Sequence, residues 1–536
     1  MDTRRVCRPN KARVSRYGKQ LMHFCQTWKN ADAELAERAT TVELCWVNTS
    51  AQLNLLEILH PALNDETQRV LGDSVVVLAK KLDLAVVQVQ KLQDPKSPAQ
   101  PGFLHFRRKA QGAKYALCQS GLDATIQDLE AWQGRCKIAL DLNMRDPNPV
   151  ISQRLQKMRE TRLAQGHGTT IPSPSPLSLT RGIRDALQPS GTPPSVFLPS
   201  MTFETSAIPF SRAKTARMQS GPSSKPRWFI LDTLPCRPGT DIHALSDDVR
   251  DLGRKLRHAD PFAFGLLNCR GVMRVLCQPP ALDLAGFDLV FNVPQDTDAE
   301  QLQSLRALLL LPASAPSLSR RLCLAQELAT SVSYVHTFKF VHKNICPESV
   351  LLLGEEQRTR NGAGAVTAAN RRSSFLIGFE SFRSVAGNTS LTGDRDWANN
   401  IYRHPERMGE FPAEAYRMQH DIYSLGVCLL EIGLWEPLVE YRGEATSKPE
   451  YGRVCRDFLR TDKPWVFFKD YLVNLADNEL PRRMGDRYAC VVMTCLTCLD
   501  KDGDFSEQAE VVDADGILLG LRFIEMIFGQ LKEIVL

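Results

Sequence analysis

Apolar residues recur at helical spacing through the first third of the chain. One run advances by alternating steps of four and three residues, the 3.5-residue period of a seam between packed helices. It comprises Leu71, Val75, Leu78, Leu82, Ala85, Val89 and Leu92, and a second run comprises Leu122, Ile126, Leu129, Cys136 and Leu140. Residues 94–102, between the two runs, hold three prolines and a glycine, which no helix crosses. The pattern predicts an all-α bundle of four or five antiparallel helices over residues 1–165.

Residues 166–226 break this pattern. They contain ten prolines and eleven serines, with six basic residues against two acidic ones. Such a segment has little apolar surface to offset the entropy that is lost when a chain becomes ordered. The composition therefore predicts a disordered linker that is extended at its proline-rich parts.

Strand and helix patterns alternate from Arg227 onward. Trp228–Leu234 predicts a strand, Ser246–His258 a helix with one apolar face, and Phe287–Pro294 a strand that ends at a proline. A long amphipathic helix is predicted over Ser317–Thr337. This succession of elements indicates an α+β domain.

The segment after that helix carries the first chemical motif. Residues 340–353 are FVHKNICPESVLLL, with an apolar entry, a histidine, a proline five residues later and an apolar exit. This layout resembles the catalytic loop of protein kinases, H-R-D-L-K-P-x-N followed by a short strand. His342 and Pro347 match the motif, but Asn344 stands where the catalytic aspartate belongs and Ser349 where the metal-binding asparagine belongs.

Three later segments follow in the order that the resemblance implies. Residues 378–380 (GFE) fall in the place of D-F-G, and residues 404–406 (HPE) fall in the place of A-P-E. Asp421 opens an apolar helical stretch and would cap the catalytic loop from below. The resemblance assigns loop-holding roles to His342, Pro347, Phe379, Glu406 and Asp421.

The resemblance implies a bilobal α+β protein-kinase-like domain over residues 227–536. Its small lobe would span residues 227–295 and its large lobe residues 296–536. Together with the N-terminal bundle, this gives a multidomain chain.

The groups that perform phosphoryl transfer are missing from the matched positions. The reaction needs a carboxylate base, metal ligands, a phosphate-binding lysine and a loop of backbone N–H groups. Asn344 has an amide, Gly378 has no side chain, and Ser349 offers a neutral hydroxyl. Between residues 227 and 300 the only lysine is Lys255, inside the predicted helix, and no G-x-G occurs. We therefore expect no intact catalytic residue, no metal site and no cofactor.

Restored activity would need a substitute carboxylate. Glu348, beside Ser349, and Glu380, two residues after Gly378, could each be aimed at a metal by a small backbone shift. ATP and Mg²⁺ enter only in this alternative, a residual or atypical ATP-binding protein kinase.

Charge, cysteine content and the first residues indicate which partners and which cellular compartment to expect. The net charge of +5 over 536 residues gives no reason to expect a nucleic-acid partner. The 15 cysteines are scattered, and the pair Cys495/Cys498 lies in an apolar helical run without a second pair for zinc. The first residues lack the apolar stretch of a signal peptide. We expect an intracellular, cytoplasmic protein with reduced thiols.

The N-terminal helices carry a second resemblance. The phrases ELCWVNTSAQL and LDATIQDLEAWQ resemble the helical N-terminal domains of fungal kinase-like proteins, which are related to the HeLo domains of fungal cell-death and prion-propagation proteins. Members of that group often begin with an apolar helix. This chain begins instead with five basic residues, Arg4, Arg5, Arg8, Lys11 and Arg13, which argues against membrane insertion.

These patterns lead to one functional hypothesis and two alternatives. The hypothesis is a pseudokinase, a signalling or cell-death/incompatibility-type module that binds protein partners and is regulated through its kinase-like domain. The first alternative is the atypical kinase described above. The second is a membrane-disrupting executioner that acts through the N-terminal helices.

Overall fold

A computed structural model divides the chain into two compact units, Met1–Arg181 and Gly182–Leu536. The first is described at residues 4–28, 33–60, 63, 65–93, 121–133 and 136. The second is described at residues 195–219, 226–236, 241–277, 284–294, 297, 299–311, 315–354, 372–384, 393–412, 415–443, 447–500, 527, 529–532 and 534.

The N-terminal unit is helical, as predicted. Its helices are α1 (Arg4–Trp28), α2 (Ala33–Leu59) and α3 (Asp65–Gln93), and residues 121–133 form a further helical segment. The predicted seam positions Leu71, Val75, Leu78 and Leu82 are buried in one core with Leu122 and Leu129. Val86, not the predicted Ala85, continues the buried stripe. A straight helix has 3.6 residues per turn, so a strict 3.5-residue pattern drifts out of phase.

Contacts inside this core explain two sequence features. Gly18 of α1 lies directly against the ring of Trp46 in α2, where a Cβ atom would come within 2.1 Å of the indole. Gln133, a polar residue in an apolar pattern, donates from its amide to Cys45 O at 2.7 Å and to Thr49 Oγ1 at 2.8 Å. A backbone carbonyl and a side-chain hydroxyl of α2 thus accept the hydrogen bonds of this buried amide.

The C-terminal unit begins with a five-stranded antiparallel sheet and one helix. The sheet has the order β1-β2-β3-β5-β4. Its strands are β1 (Glu204–Ala207), β2 (Lys214–Met218), β3 (Arg227–Pro235), β4 (Cys269–Leu276) and β5 (Leu284–Asn292), and α4 (Ile242–Leu256) packs on β4. β3, α4 and β5 correspond to the predicted strand, helix and strand, whereas β4 was not predicted. Asp241 caps α4 by accepting the N–H groups of His243 and Ala244.

The predicted linker needs correction at its C-terminal end. β1 and β2 both lie within residues 166–226. Residues 195–200 also join the sheet, because Leu198 donates its N–H to Val272 O and Val272 donates its N–H to Val196 O. A Cβ atom on Gly271 would come within 2.6 Å of Val196 O, so glycine is required for this approach. The sheet therefore starts before Arg227.

The larger part of this unit is mainly helical. Its long helices are α5 (Leu318–Thr337), α6 (Met418–Leu434), α7 (Phe468–Met484) and α8 (Asp486–Leu496). Along α6 only buried residues follow Gln419, so this helix forms the centre of the lobe. Gly426 of α6 meets Cys495 of α8, and both Cys495 and Cys498 are buried, as predicted.

Together the two units form an N-terminal helical region and a C-terminal region of mixed helices and antiparallel sheets, compatible with a bilobal kinase-like fold. Within the ranges given above, no helix combines the length and the apolar character needed to cross a bilayer.

Candidate functional site

The loop that carries the first motif is held from below by Asp421. The side chain of Asp421 is fully buried and accepts the backbone N–H groups of His342 at 2.7 Å and Lys343 at 2.9 Å. It also contacts His336 Nε2 at 3.0 Å and accepts the hydroxyl of Tyr416 at 2.7 Å. Burial alone would raise the pKa of Asp421, but the contacts with His336 and His342 outweigh it and hold the pKa below its ordinary value. Two backbone N–H groups, one imidazole and one phenol hydroxyl thus share the Asp421 carboxylate.

His342 links this loop to the GFE segment. Burial lowers the pKa of His342 to about 4, so its imidazole is neutral at pH 7. The ring lies 4.8 Å from the ring of Phe379, measured between centroids. Both side chains are buried. Their loop-holding roles stay a prediction.

The three degenerate positions lie next to one another. Asn344 Nδ2 donates to Gly378 O at 3.2 Å. Ser349 Oγ is bonded to the backbone of Cys346, accepting its N–H at 3.2 Å and donating to its carbonyl at 2.9 Å. Gly378 has φ = 84°, and a Cβ atom there would lie 2.9 Å from Ser349 Cβ and 3.1 Å from Asn344 Nδ2. Pro347 opens the buried turn that positions Ser349. A side chain at position 378 would therefore crowd Ser349 and Asn344, although all three residues also line an open cavity on their other side.

Asp232 of β3 is a site residue that the sequence analysis missed. Its carboxylate is 2% exposed and accepts the backbone N–H groups of Gly378 at 2.9 Å and Phe379 at 2.8 Å. Burial raises the pKa of Asp232 to about 7, against the opposing effect of the two N–H donors. In protein kinases the corresponding strand carries the phosphate-binding lysine of V-A-I-K. One sequence signal could have identified it: Asp232 is an acidic residue directly after the apolar run F-I-L in a predicted strand.

The β1–β2 loop, residues 208–213, folds down onto the large lobe. Pro209 O accepts the hydroxyl of Ser304 at 2.8 Å, and the ring of Phe210 lies 5.0 Å from that of Tyr441. Arg212 forms an ion pair with Glu380. A cavity of about 640 Å³ lies beneath the loop, with Asn344 in its wall. Three residues of the loop, Pro209, Phe210 and Arg212, thus hold it against the residues that surround this cavity.

Arg306 forms a second buried cluster that the sequence analysis missed. Its guanidinium is fully buried and donates to Glu348 at 2.7 Å and to Glu431 of α6 at 3.0 Å, and it also donates to the hydroxyl of Tyr402. Glu431 in turn accepts the N–H of Leu438 at 2.7 Å. The carboxylates raise the pKa of Arg306 well above its ordinary value although burial opposes this, so the guanidinium is charged. No local sequence pattern marks this cluster, since its members are far apart in the chain.

The two candidate substitute carboxylates are therefore both engaged. Glu348 pairs with Arg306, and Glu380 pairs with Arg212. Each would have to leave a cationic partner before it could bind a metal. At the last motif, Glu406 lies on the turn that follows His404 and its side chain is 45% exposed.

Comparisons with known proteins support a kinase-like relationship. A segment of 107 residues, 20% of this chain, is 28% identical to mouse eukaryotic translation initiation factor 2-alpha kinase 1. A segment of 180 residues, 33% of this chain, is 25% identical to the MAP kinase kinase skh1/pek1 of Schizosaccharomyces pombe. The matches span 16% and 39% of those two proteins. No family model matches the chain.

Proposed function

We propose that the C-terminal unit is a pseudokinase, a kinase-like module that binds protein partners without transferring phosphate. One observation carries the proposal: Asp232 occupies the strand position of the phosphate-binding lysine and accepts the N–H groups of Gly378 and Phe379. A carboxylate there repels nucleotide phosphates whenever it is ionised. It also ties the small lobe to the segment that would otherwise carry a metal ligand.

The remaining groups of the cleft support the same function. Asn344 cannot accept a proton from a substrate hydroxyl, which removes general-base help worth about 10²–10⁴ in rate. The contacts of Pro209, Phe210 and Arg212 with the large lobe favour a closed cleft. A cleft that is closed by this loop and tied by the Asp232 carboxylate suits a module that presents a fixed surface to a partner.

The proposal extends to the biological role of the protein and to its N-terminal unit. We propose a signalling or cell-death/incompatibility-type role in the cytoplasm, with the N-terminal unit as a HeLo-like region of the fungal kind that binds protein partners. The atypical kinase and the membrane-disrupting executioner are the competing functions. Leakage of liposomes caused by the N-terminal unit would favour the executioner.

The full-length chain is expected to melt at the same temperature with and without ATP, in the presence of either Mg²⁺ or Mn²⁺. The reason is that the phosphate-binding lysine is replaced by Asp232 and the overlying loop is bonded to the large lobe. Differential scanning fluorimetry measures the melting temperature, and incorporation of labelled phosphate measures transfer. A metal-dependent rise with ATP would favour the atypical kinase, and phosphoryl transfer by the unmodified chain would overturn the pseudokinase proposal.

Restoring three motif residues together, Asn344→Asp, Ser349→Asn and Gly378→Asp, is expected to lower stability without creating a kinase. Gly378 has a positive φ, and a side chain there meets Ser349 and Asn344. Two neighbouring carboxylates also repel each other unless a metal neutralises them. The melting temperature and autophosphorylation of the triple variant test this. The double variant that leaves Gly378 unchanged is the control and should lose less stability, whereas robust transfer would reveal a phosphate-binding element in the small lobe.

Replacing Asp232 by asparagine is expected to change how stability depends on pH. The pKa of Asp232 is about 7 in the folded chain and near 4 when unfolded, so the folded chain binds the additional proton between these values. Its contribution to stability therefore falls as the pH rises from about 4 to about 7. Asparagine cannot titrate, so the melting temperature of the variant relative to wild type should be higher at pH 8 than at pH 5. A difference that does not change with pH would contradict this assignment.

A further inference from the structure

Three potential metal ligands meet at the HPE turn, away from the cleft. One ligand atom each of His404, Glu406 and His420 lies within 4.8 Å of the other two. His404 Nδ1 is 3.5 Å from Glu406 Oε2. His404 and Glu406 belong to the turn that ends the segment after GFE, and His420 lies in the first turn of α6. The cluster thus joins two elements that are separate in the chain.

The imidazoles leave buried nitrogen atoms without partners. His404 is 6% exposed and His420 is 1% exposed, yet Nε2 of each has no hydrogen-bond partner among the described residues. The hydroxyl of Tyr423 is likewise buried without a partner, and its ring lies 5.1 Å from that of His404. An unpartnered buried polar group costs about 1–3 kcal/mol. His404 Nδ1, by contrast, accepts the backbone N–H of Glu406 at 3.4 Å, so Nε2 is the nitrogen of each ring that is open to a further ligand.

The donor set indicates the class of that ligand. Two imidazoles and one carboxylate are ligands that Zn²⁺ and similar divalent transition metals accept, with a fourth position left for water. The side chain of Glu406 is 45% exposed, which gives an ion a route from solvent. Three cationic side chains lie near the two imidazoles: Lys469 near His404, Arg407 near His420, and Arg417 near both; of these, Lys469 is already paired with Asp500. A dication held by Glu406 therefore does not face an uncompensated Lys469 charge.

His420 has a second role that the ion would alter. Its Nδ1 accepts the backbone N–H of Arg417 at 2.9 Å, which places the proton of the neutral ring on Nε2. Coordination through Nε2 requires the other tautomer, with the proton on Nδ1, and so replaces the bond from Arg417 by a metal–nitrogen bond. Ion binding is thereby coupled to the start of α6, one residue before Asp421.

We propose that His404, Glu406 and His420 bind one divalent transition-metal ion of the zinc class, which cross-links the HPE turn to the start of α6. These three residues lie outside the kinase ligand positions and the cysteine pair, where the sequence predicts no metal. The ion stabilises the structure around Asp421 and takes no part in phosphoryl transfer. This site is independent of whether the cleft binds nucleotide.

Cobalt titration of the chelator-treated full-length chain tests the site. Co²⁺ is expected to give visible absorption typical of nitrogen and oxygen ligands, saturating at one equivalent and displaced by Zn²⁺. Glu406→Gln should weaken binding by about tenfold or more, since even outer-shell changes at metal sites cost 10–100-fold. Because the Glu406 side chain is half-exposed, this variant is expected to keep the fold, and its melting temperature without metal checks that. The control is Glu410→Gln, which alters a nearby exposed carboxylate and should bind like wild type.

Two further readouts decide the outcome. Zn²⁺ should raise the melting temperature of wild type and of Glu410→Gln but not of Glu406→Gln, because a ligand stabilises only a chain that binds it. Bound metal should also change the amide resonance of Arg417. A thiolate-to-cobalt charge-transfer band would place the ion on cysteines and overturn the proposal. Absence of binding, or equal binding by Glu406→Gln, would overturn it too and would leave a buried water as the occupant.

Discussion

Replacing Asp421 by alanine is expected to lower the free energy of unfolding of the C-terminal unit by about 3–5 kcal/mol, the range for removing one partner from a buried charged network. The carboxylate accepts the N–H groups of His342 and Lys343 and the hydroxyl of Tyr416, and it contacts His336. Alanine removes the acceptor that these groups share. Its effect should therefore far exceed that of losing one hydrogen bond of a half-buried side chain.

Asn344→Ala is the matched control, because the Asn344 side chain makes a 3.2 Å bond to Gly378 O and only a long, 3.9 Å contact with Cys346 Sγ besides. Urea unfolding of both variants gives the two free energies. The pKa of Asp421 is lowered in the folded chain, so its contribution is present above about pH 4 and is lost as the pH falls below that value. The gap between wild type and Asp421→Ala should accordingly narrow in acid. Similar stabilities of the two variants at pH 7 would refute the role given to Asp421.

Replacing Arg306 by methionine is expected to cost a similar amount, about 3–5 kcal/mol. Methionine fills much of the space of the arginine stem but leaves the fully buried Glu431 without its cation. Burial already raises the pKa of Glu431, and without Arg306 that carboxyl should take up a proton at still higher pH. Equilibrium unfolding in urea at pH 7 measures the loss.

A double variant separates the buried charge from the loss of packing. In Arg306→Met/Glu431→Gln the glutamine side chain is neutral and can still accept the N–H of Leu438. We expect the double variant to be more stable than Arg306→Met alone, because the uncompensated charge has been removed. Glu348→Gln should cost less than either, since its side chain is 23% exposed. A double variant no more stable than the single one would show that packing, and not charge, dominates at Arg306.

The sequence predicted those parts of the fold whose pattern is local and strong. Buried leucines and valines at helical spacing define α3 and α5, and apolar runs define β3 and β5. These elements have a buried face that hydrophobic periodicity records directly. The polar caps follow from the same local logic, as with Ser317, whose hydroxyl accepts the N–H of Arg320 at the start of α5.

The missed elements depend on distant partners. β1 is exposed along its whole length, and β2 buries only Ala216 fully, so neither shows an apolar pattern. β2 is held by pairing with β3, and β1 by pairing with β2. A proline- and serine-rich composition gives no sign of this pairing. At the site, the contact between Asp232 and Gly378 and the pair of Arg306 with Glu431 each join residues more than a hundred positions apart. The motif alignment located Asn344 and Gly378, but it could not show what holds them.

The strands found before Arg227 determine where the chain can be cut. A fragment that begins at Arg227 keeps β3, β5 and β4 but loses β2 beside β3 and the Val196–Leu198 segment beside β4. Both outer strands of the remaining sheet would then present unpaired N–H and C=O groups, a template for pairing with other molecules. Such a fragment is expected to aggregate although it contains every kinase-like motif. A fragment that starts at Gly182, where the compact unit begins, keeps both borders covered.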